Sequence, residues 1–408
     1  MNISSIQAAR RVLKSVMIPT PIIQADELST RLGAQVYLKA ENVQPAGSFK
    51  VRGAFNKIHN LSPEEKARGV IAPSAGNHAQ GVALAAKRSG IKATIVMPEF
   101  APLTKVVATR KFGAEVILYG KSFDDAAARV RELVQERGLT LIHAFDDEEI
   151  IAGQGTCGLE ILDQLPDVNR VIVPIGGGGL IGGIGVAIKT LKPDVKIIGV
   201  QAGGNSSIRP SLAAGHPVTA ERSNTIADGI AVKRPGDLTL PLIKEYVDDV
   251  VEVDEEEIAR GIVHCLSHSQ LVVEGGGAVG VAALLAGKIK PEKNEIVSVV
   301  LSGGNIDGNL LARVIEQVMV RQGRYIWLKL TVSDRPGSLA PLIDEVAQCR
   351  ANVVEIFHRR AMRLAPLGRV GIELVLEVRD EEHGQEVMRH LMNSGYPVER
   401  EGLGHWPT

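Results

Sequence analysis

Apolar and polar positions along this chain follow two rhythms, and the change from one to the other divides it. From Asp26 to about residue 310, short apolar runs rich in β-branched residues alternate with longer segments of helical spacing. The runs AQVYLKA (34–40), ATIVMP (93–98), EVILYG (115–120), RVIVPI (170–175), KIIGVQA (196–202) and EIVSVVL (295–301) are predicted strands. Several are apolar at successive positions, as a parallel strand covered by helices on both faces must be. PLTKVVATRKFGA (102–114) and SFDDAAARVRELVQERG (122–138) are predicted helices, and Asp254 with Glu257 forms a capping box that opens another. Such alternation predicts an α/β fold with parallel sheets.

The second rhythm begins near RQGRY (321–325). YIWLKLTVSD (325–334), SLAPLIDEVAQCRA (338–351), NVVEIFHRR (352–360), RVGIELVLEVR (369–379), EEHGQEVMRHLMNSG (381–395) and a short YPVER then follow. They read strand, helix, strand, strand, helix and a last short strand, a small ferredoxin-like α+β unit. A domain boundary is expected at about residue 320, giving units at 1–320 and 325–400.

Composition narrows the function classes. A length of 408 residues exceeds one compact core, and 45% hydrophobic residues suffice for two or three. Net charge is −1 with both signs spread along the chain, which leaves no footprint for nucleic acid or an anionic membrane. No stretch approaches the roughly 18 uncharged apolar residues of a membrane span. The N-terminal MNISSIQAARRVLKSVMIPT lacks the apolar centre of a signal peptide. Cys157, Cys265 and Cys349 are far apart and odd in number, which suits a reducing, cytoplasmic compartment. His264 and His268 share a helix face beside Cys265, but no further ligand stands at suitable spacing, so no metal site is expected.

Four loops follow predicted strands, where open α/β sheets place their ligands. PIGGGGLIGG (174–183) puts consecutive glycines before a helix, an arrangement suited to one phosphate, although a tight turn under a helix looks the same. In PAGSFKVRGAF (45–55), Lys50 sits just inside a helix start with Ser48 as the expected N-cap. Alone, such a lysine reads as surface charge; desolvated beside an anion site, it becomes an imine-forming nucleophile. APSAGNHAQGVALAA (72–86) offers N–H groups with the Ser74 and Asn77 side chains, and is equally an ordinary helix entry in which His78 is a satisfied polar residue. VVLSGGNIDG (299–308) ends a strand at Ser302, which by itself reads as a turn serine.

Taken together and in order, TP (20–21), YLKAENVQPAGSFKVRGA, SAGNHAQGVA, GGGGL and SGGN resemble the fold-type-II pyridoxal-phosphate enzymes, in particular the threonine ammonia-lyases. The resemblance runs from about Thr20 to Asp307 and implies a small subdomain, about 46–141, inserted in a larger one. It implies that Lys50 holds pyridoxal 5′-phosphate covalently and is the catalytic base. Phe49 would lie against the cofactor ring, Asn77 would bond its 3-hydroxyl and Ser302 would face its nitrogen. Gly176, Gly177, Gly178, Gly179 and Leu180 would cradle the phosphate. Ser74, Ala75, Gly76, Asn77 and His78 would hold the substrate carboxylate. Related synthases carry Lys-Asp-Arg at the lysine, whereas Lys50 is followed by Val51-Arg52-Gly53-Ala54. Serine racemases carry a second serine where this chain has Ala75, and alanine cannot transfer a proton.

The tail, with DRPG-x-L (334–339) and ANVVEIFHRR (351–360), is similar to an ACT domain. That resemblance implies an amino-acid effector at the Gly337 turn, with isoleucine feedback, and assembly as a homo-oligomer, dimer or tetramer. The expected reaction is β-elimination of L-threonine to 2-oxobutanoate and ammonia, the opening step of isoleucine synthesis. A serine or hydroxyaspartate ammonia-lyase, and an amino-acid sensor with an inactive lyase domain, are the alternatives.

Overall fold

The computed structural model describes residues 1–221, 224–359 and 366–401. The chain divides into two compact units, Met1–Asp307 and Gly308–Thr408. This division falls ahead of the helix Gly308–Arg321, whereas the change of pattern marks a boundary near residue 320. That helix is amphipathic and belongs to the C-terminal unit, although its sequence continues the α/β rhythm before it.

The first unit holds two sheets. The larger runs in the order Ile22–Gln24, Gln35–Ala40, Ile296–Leu301, Arg170–Pro174, Lys196–Ala202 and Asp249–Val253. All neighbours are parallel except the first pair. The smaller is wholly parallel, in the order Glu115–Leu118, Ala93–Met97, Val70–Pro73 and Thr140–Leu141. Arg170–Pro174 and Ala93–Met97 are buried at every position, which is why 171–174 and 95–97 are apolar without alternation.

All six predicted strands of this unit form, each within two residues of its expected bounds. Lys50 begins the helix Lys50–Asn60, which packs across Glu148–Gln164 at a glycine seam. A Cβ on Gly153 would lie 2.6 Å from the Cα of Gly53, closer than any side chain permits. The predicted capping box is present: Asp254 Oδ1 accepts the Glu257 N–H, and Glu257 Oε2 accepts the Asp254 N–H, both at 2.8 Å. Among the described residues, no helix is long and apolar enough to cross a membrane.

The second unit has a four-stranded antiparallel sheet in the order Asn352–Arg359, Arg369–Glu377, Tyr325–Ser333 and Val398–Arg400. Two helices, Leu339–Gln348 and Glu381–Asn393, contribute Leu342, Val346, Val387 and Leu391 to its core. This is the predicted β-α-β-β-α-β order. Arg360, the last residue of the ANVVEIFHRR motif, lies outside the described residues.

Candidate active site

The predicted loops meet at the carboxyl ends of the strands, where such sheets bind ligands. A pocket there is lined by Phe49, Lys50, Ala144, Phe145, Gln154, Gly176 to Leu180, Gly229, Ile230 and Ser302.

Lys50 projects from the first residue of its helix, and its Nζ donates to the Ala144 carbonyl at 2.8 Å. Burial pushes the amine down to about 8, against the opposing pull of the Glu274 carboxylate. A useful fraction is then neutral near pH 7, as a nucleophile or base needs. Phe49 lies beside it, with Nζ 5.2 Å from the ring centroid. Ser48 does not cap the helix. Phe49 is the residue before it, with helical backbone angles and no capping side chain, while Ser48 bridges to Gly303 and its buried Oγ has no hydrogen-bond partner among the described residues.

The glycine run connects strand Arg170–Pro174 to helix Gly179–Leu191, whose first-turn N–H groups and positive dipole end suit an anion. Gly178 takes φ +96°, and a Cβ there would lie 2.8 Å from Thr239. A Cβ on Gly177 would collide with the Phe145 ring. The Gly177 carbonyl accepts Thr239 Oγ1–H at 2.6 Å and the Gly236 N–H at 3.3 Å, so this acceptor is engaged by the protein and not turned on an incoming anion.

Asn77 opens the helix Asn77–Arg88. Its Nδ2 donates to Glu274 Oε1 and its Oδ1 accepts from Asn305 Nδ2, both at 2.6 Å. One Nδ2 hydrogen remains for a ligand hydroxyl. Ser74 Oγ accepts the N–H groups of Gly76 and Ala79, each at 3.2 Å, and so serves the helix start. Its own hydroxyl proton, with the first-turn N–H groups of Asn77 and His78, is what this loop can offer a carboxylate. The His78 imidazole is turned elsewhere: Nε2 bonds the Ile142 carbonyl at 2.8 Å, and burial together with Lys50 pushes it down to about 3. The ring is therefore neutral, and its proton sits on Nε2. Ser302 Oγ donates to the Gly276 carbonyl at 3.3 Å, a long bond that the hydroxyl can exchange for one into the pocket.

Several site residues stand outside the motifs. Glu274 fixes Asn77, and burial followed by Asp228 pushes its carboxyl up to about 7. Ala144 and Phe145 line the pocket facing Lys50, and His143 precedes them in the chain. Beneath its helix lies a charge cluster in which Arg52 pairs with Glu41 and Glu160, and Lys39 with Glu160, at 2.6–2.7 Å. His264, by contrast, lies away from the pocket lining, 3.3 Å from Glu27 and with its ring 4.6 Å from that of His268.

The family described as pyridoxal-phosphate dependent enzyme matches residues 13–303. This chain belongs to that family. An L-threonine ammonia-lyase of Thermotoga maritima is 50% identical over 398 residues, covering 98% of this chain and 99% of that protein. The processed form of threonine deaminase isoform 2 from Solanum lycopersicum superposes with TM-score 0.74 at 42% identity, over 78% of this chain and 87% of that one. Maize serine racemase gives TM-score 0.74 at 36% identity, over 78% and 98%.

The pocket fits the cofactor of the pyridoxal-phosphate enzymes. The N–H groups at the start of the helix Gly179–Leu191 suit its phosphate, and the depressed Lys50 amine suits its aldehyde. Capture of pyridoxal phosphate by the cofactor-free protein is expected to accelerate with pH along a curve centred near 8, as followed by visible absorbance. The neutral amine is the reactive form, so the rate rises as pH passes the lysine's own value. A midpoint near the ordinary 10.5 would show that burial does not activate Lys50.

Proposed function

We propose that this chain deaminates L-threonine to 2-oxobutanoate and ammonia by β-elimination. The observation that carries the reading is the near full-length identity with an L-threonine ammonia-lyase, joined to a buried, depressed lysine amine beside a glycine cradle. When bound, pyridoxal phosphate supplies an electron sink for charge left at the substrate Cα. Lys50 Nζ holds and moves the Cα proton. The loop from Ser74 to His78 orients the carboxylate, and the Asn77 Nδ2 hydrogen holds the cofactor's ring hydroxyl. Ser302 would give the cofactor's ring nitrogen an uncharged hydroxyl partner in place of a carboxylate. Ala75 leaves the opposite face without a proton donor at that position, which opposes racemisation.

The C-terminal unit is read as an ACT domain that binds isoleucine and sets a biosynthetic role, within a cytoplasmic homo-oligomer. Support comes from its strand order and from Gly337, whose φ is +86° and around which a Cβ would meet nothing within 4 Å. That turn precedes the helix Leu339–Gln348 and leaves space for a ligand carboxylate.

One assay tests both levels. 2-Oxobutanoate release from L-threonine should exceed pyruvate release from L-serine, by the roughly 1–3 kcal/mol that a methyl group commands. Isoleucine should shift apparent threonine affinity about 5–150-fold, through a coupling of about 1–3 kcal/mol. Faster turnover of serine, or D-serine accumulating as fast as pyruvate, would overturn the substrate assignment. Absence of isoleucine binding in calorimetry would remove the effector.

A further inference from the structure

The segment from His143 to Asp147 joins strand Thr140–Leu141 to helix Glu148–Gln164. Its backbone is organised by one imidazole: His143 Nδ1 accepts the Asp146 N–H at 2.7 Å and the Phe145 N–H at 3.3 Å. Both bonds need the Nδ1 lone pair, so the ring is neutral with its proton on Nε2. Burial and the Lys50 charge favour that neutral form, with the Asp146 and Asp147 carboxylates opposing.

The residue enclosed by this turn is Ala144, whose carbonyl accepts from Lys50 Nζ at 2.8 Å. The next residue, Phe145, lays its ring over Gly177. The third, Asp146, accepts the N–H groups of Asp237 at 3.0 Å and Leu238 at 2.9 Å, beside the Thr239 that holds the Gly177 carbonyl. A single turn therefore touches the amine, the glycine cradle and the loop that braces the cradle.

We propose that His143 is a positioning residue for Lys50: its Nδ1 shapes the turn that presents the Ala144 carbonyl, and that carbonyl holds the amine whenever it is not engaged with the cofactor. The need is physical. Lysine carries its nitrogen on a flexible four-carbon stem, and a misplacement of about 1 Å costs on the order of 10²-fold in rate. A carbonyl is acceptor-only, so it fixes Nζ through an N–H bond and leaves the nitrogen lone pair free for the Cα proton. A charged acceptor there would instead favour the ammonium form and remove the base.

The rival account is that the imidazole only fills space. His143→Asn and His143→Phe separate the two. The asparagine Oδ1 can accept N–H groups two and three residues ahead, as in an Asx turn, although it is smaller. Phenylalanine keeps the bulk and loses the acceptor. H143N should keep kcat within about fivefold of the parent, while H143F loses about 10²-fold in kcat with KM changed less than about threefold. Cofactor-free H143F should also capture pyridoxal phosphate about tenfold more slowly than the parent, and H143N at the parental rate.

This inference rests on the proposed lyase reading. Cofactor capture needs the Lys50 amine and no threonine, so its failure is distinguishable from a wrong substrate. Should H143F fail to fold, 15N-histidine spectra of the parent decide the matter through the protonation of Nδ1. Parental rates in H143F, equal losses in both variants, or a proton on Nδ1 would each overturn the proposal.

Discussion

Lys50→Ala is expected to leave a folded protein that lacks the visible absorbance of bound cofactor and deaminates threonine at least about 10³-fold more slowly. Among the described residues the side chain makes one hydrogen bond, to the Ala144 carbonyl, so few polar contacts are lost. Its charge contributes no stability near neutral pH. The folded value, about 8, lies below the ordinary 10.5, so the amine's stability contribution is present above 10.5 and lost as pH falls through 8. Removing the lysine at pH 7 therefore relieves a burial penalty, and thermal melting should not move downward. Catalysis, in contrast, loses the group that binds the cofactor covalently and the base beside Cα at once. Absorbance, melting and 2-oxobutanoate release on the same preparation check the three parts. Turnover within tenfold of the parent would remove Lys50 from the reaction.

Arg52→Met should have the largest effect on stability, about 3–5 kcal/mol, because it leaves buried carboxylates without their partner. Arg52 is 1% exposed and Glu41 is fully buried, and the guanidinium reaches Glu41 and Glu160 through four bonds of 2.7 Å. Lys39 and Arg52 balance Glu41 and Glu160, so the cluster is neutral only when complete. Burial alone would raise the Glu41 carboxyl; the Arg52 guanidinium overrides this and holds it at about 2. Because that value lies below the ordinary 4.5, the stabilisation is full above pH 4.5 and is lost as pH falls toward 2. Urea denaturation at pH 7 measures the loss. Arg52→Lys should recover part of it, since an ammonium cannot reproduce the forked contacts. A loss below about 1 kcal/mol would mean that the cluster is wet and weakly coupled.

What could be read in advance was what periodicity and glycine spacing encode. The runs at 93–98, 170–175 and 295–301 were legible as strands because burial on both faces makes them largely apolar at successive positions. The four loops around Lys50, Asn77, Gly177 and Ser302 were legible because each carries backbone chemistry in consecutive residues, and three of them, with Lys50, Gly177 and Ser302, line the same pocket. Asn77 reaches the site's network through Glu274. Glu274 itself, Arg52 and His143 act through partners distant in sequence, which no local window shows. Glu274 stands before a glycine-rich helix and reads as a helix entry; its meaning comes from Asn77. The strands Ile22–Gln24 and Thr140–Leu141 are too short to carry a period. The helix Glu148–Gln164 was hidden by Gly153, Gly155 and Gly158, which look like breakers and are instead close-packing positions.

The seam between Gly53 and Gly153 bears on how this enzyme fails when heated. A contact made of backbone has no rotamers to hop and no methyl groups to soften, so it yields only when two helices separate. Lys50 stands three residues from that seam on one of those helices. Thermal inactivation and loss of the surrounding fold are therefore expected to coincide, which parallel melting by circular dichroism and residual activity would check.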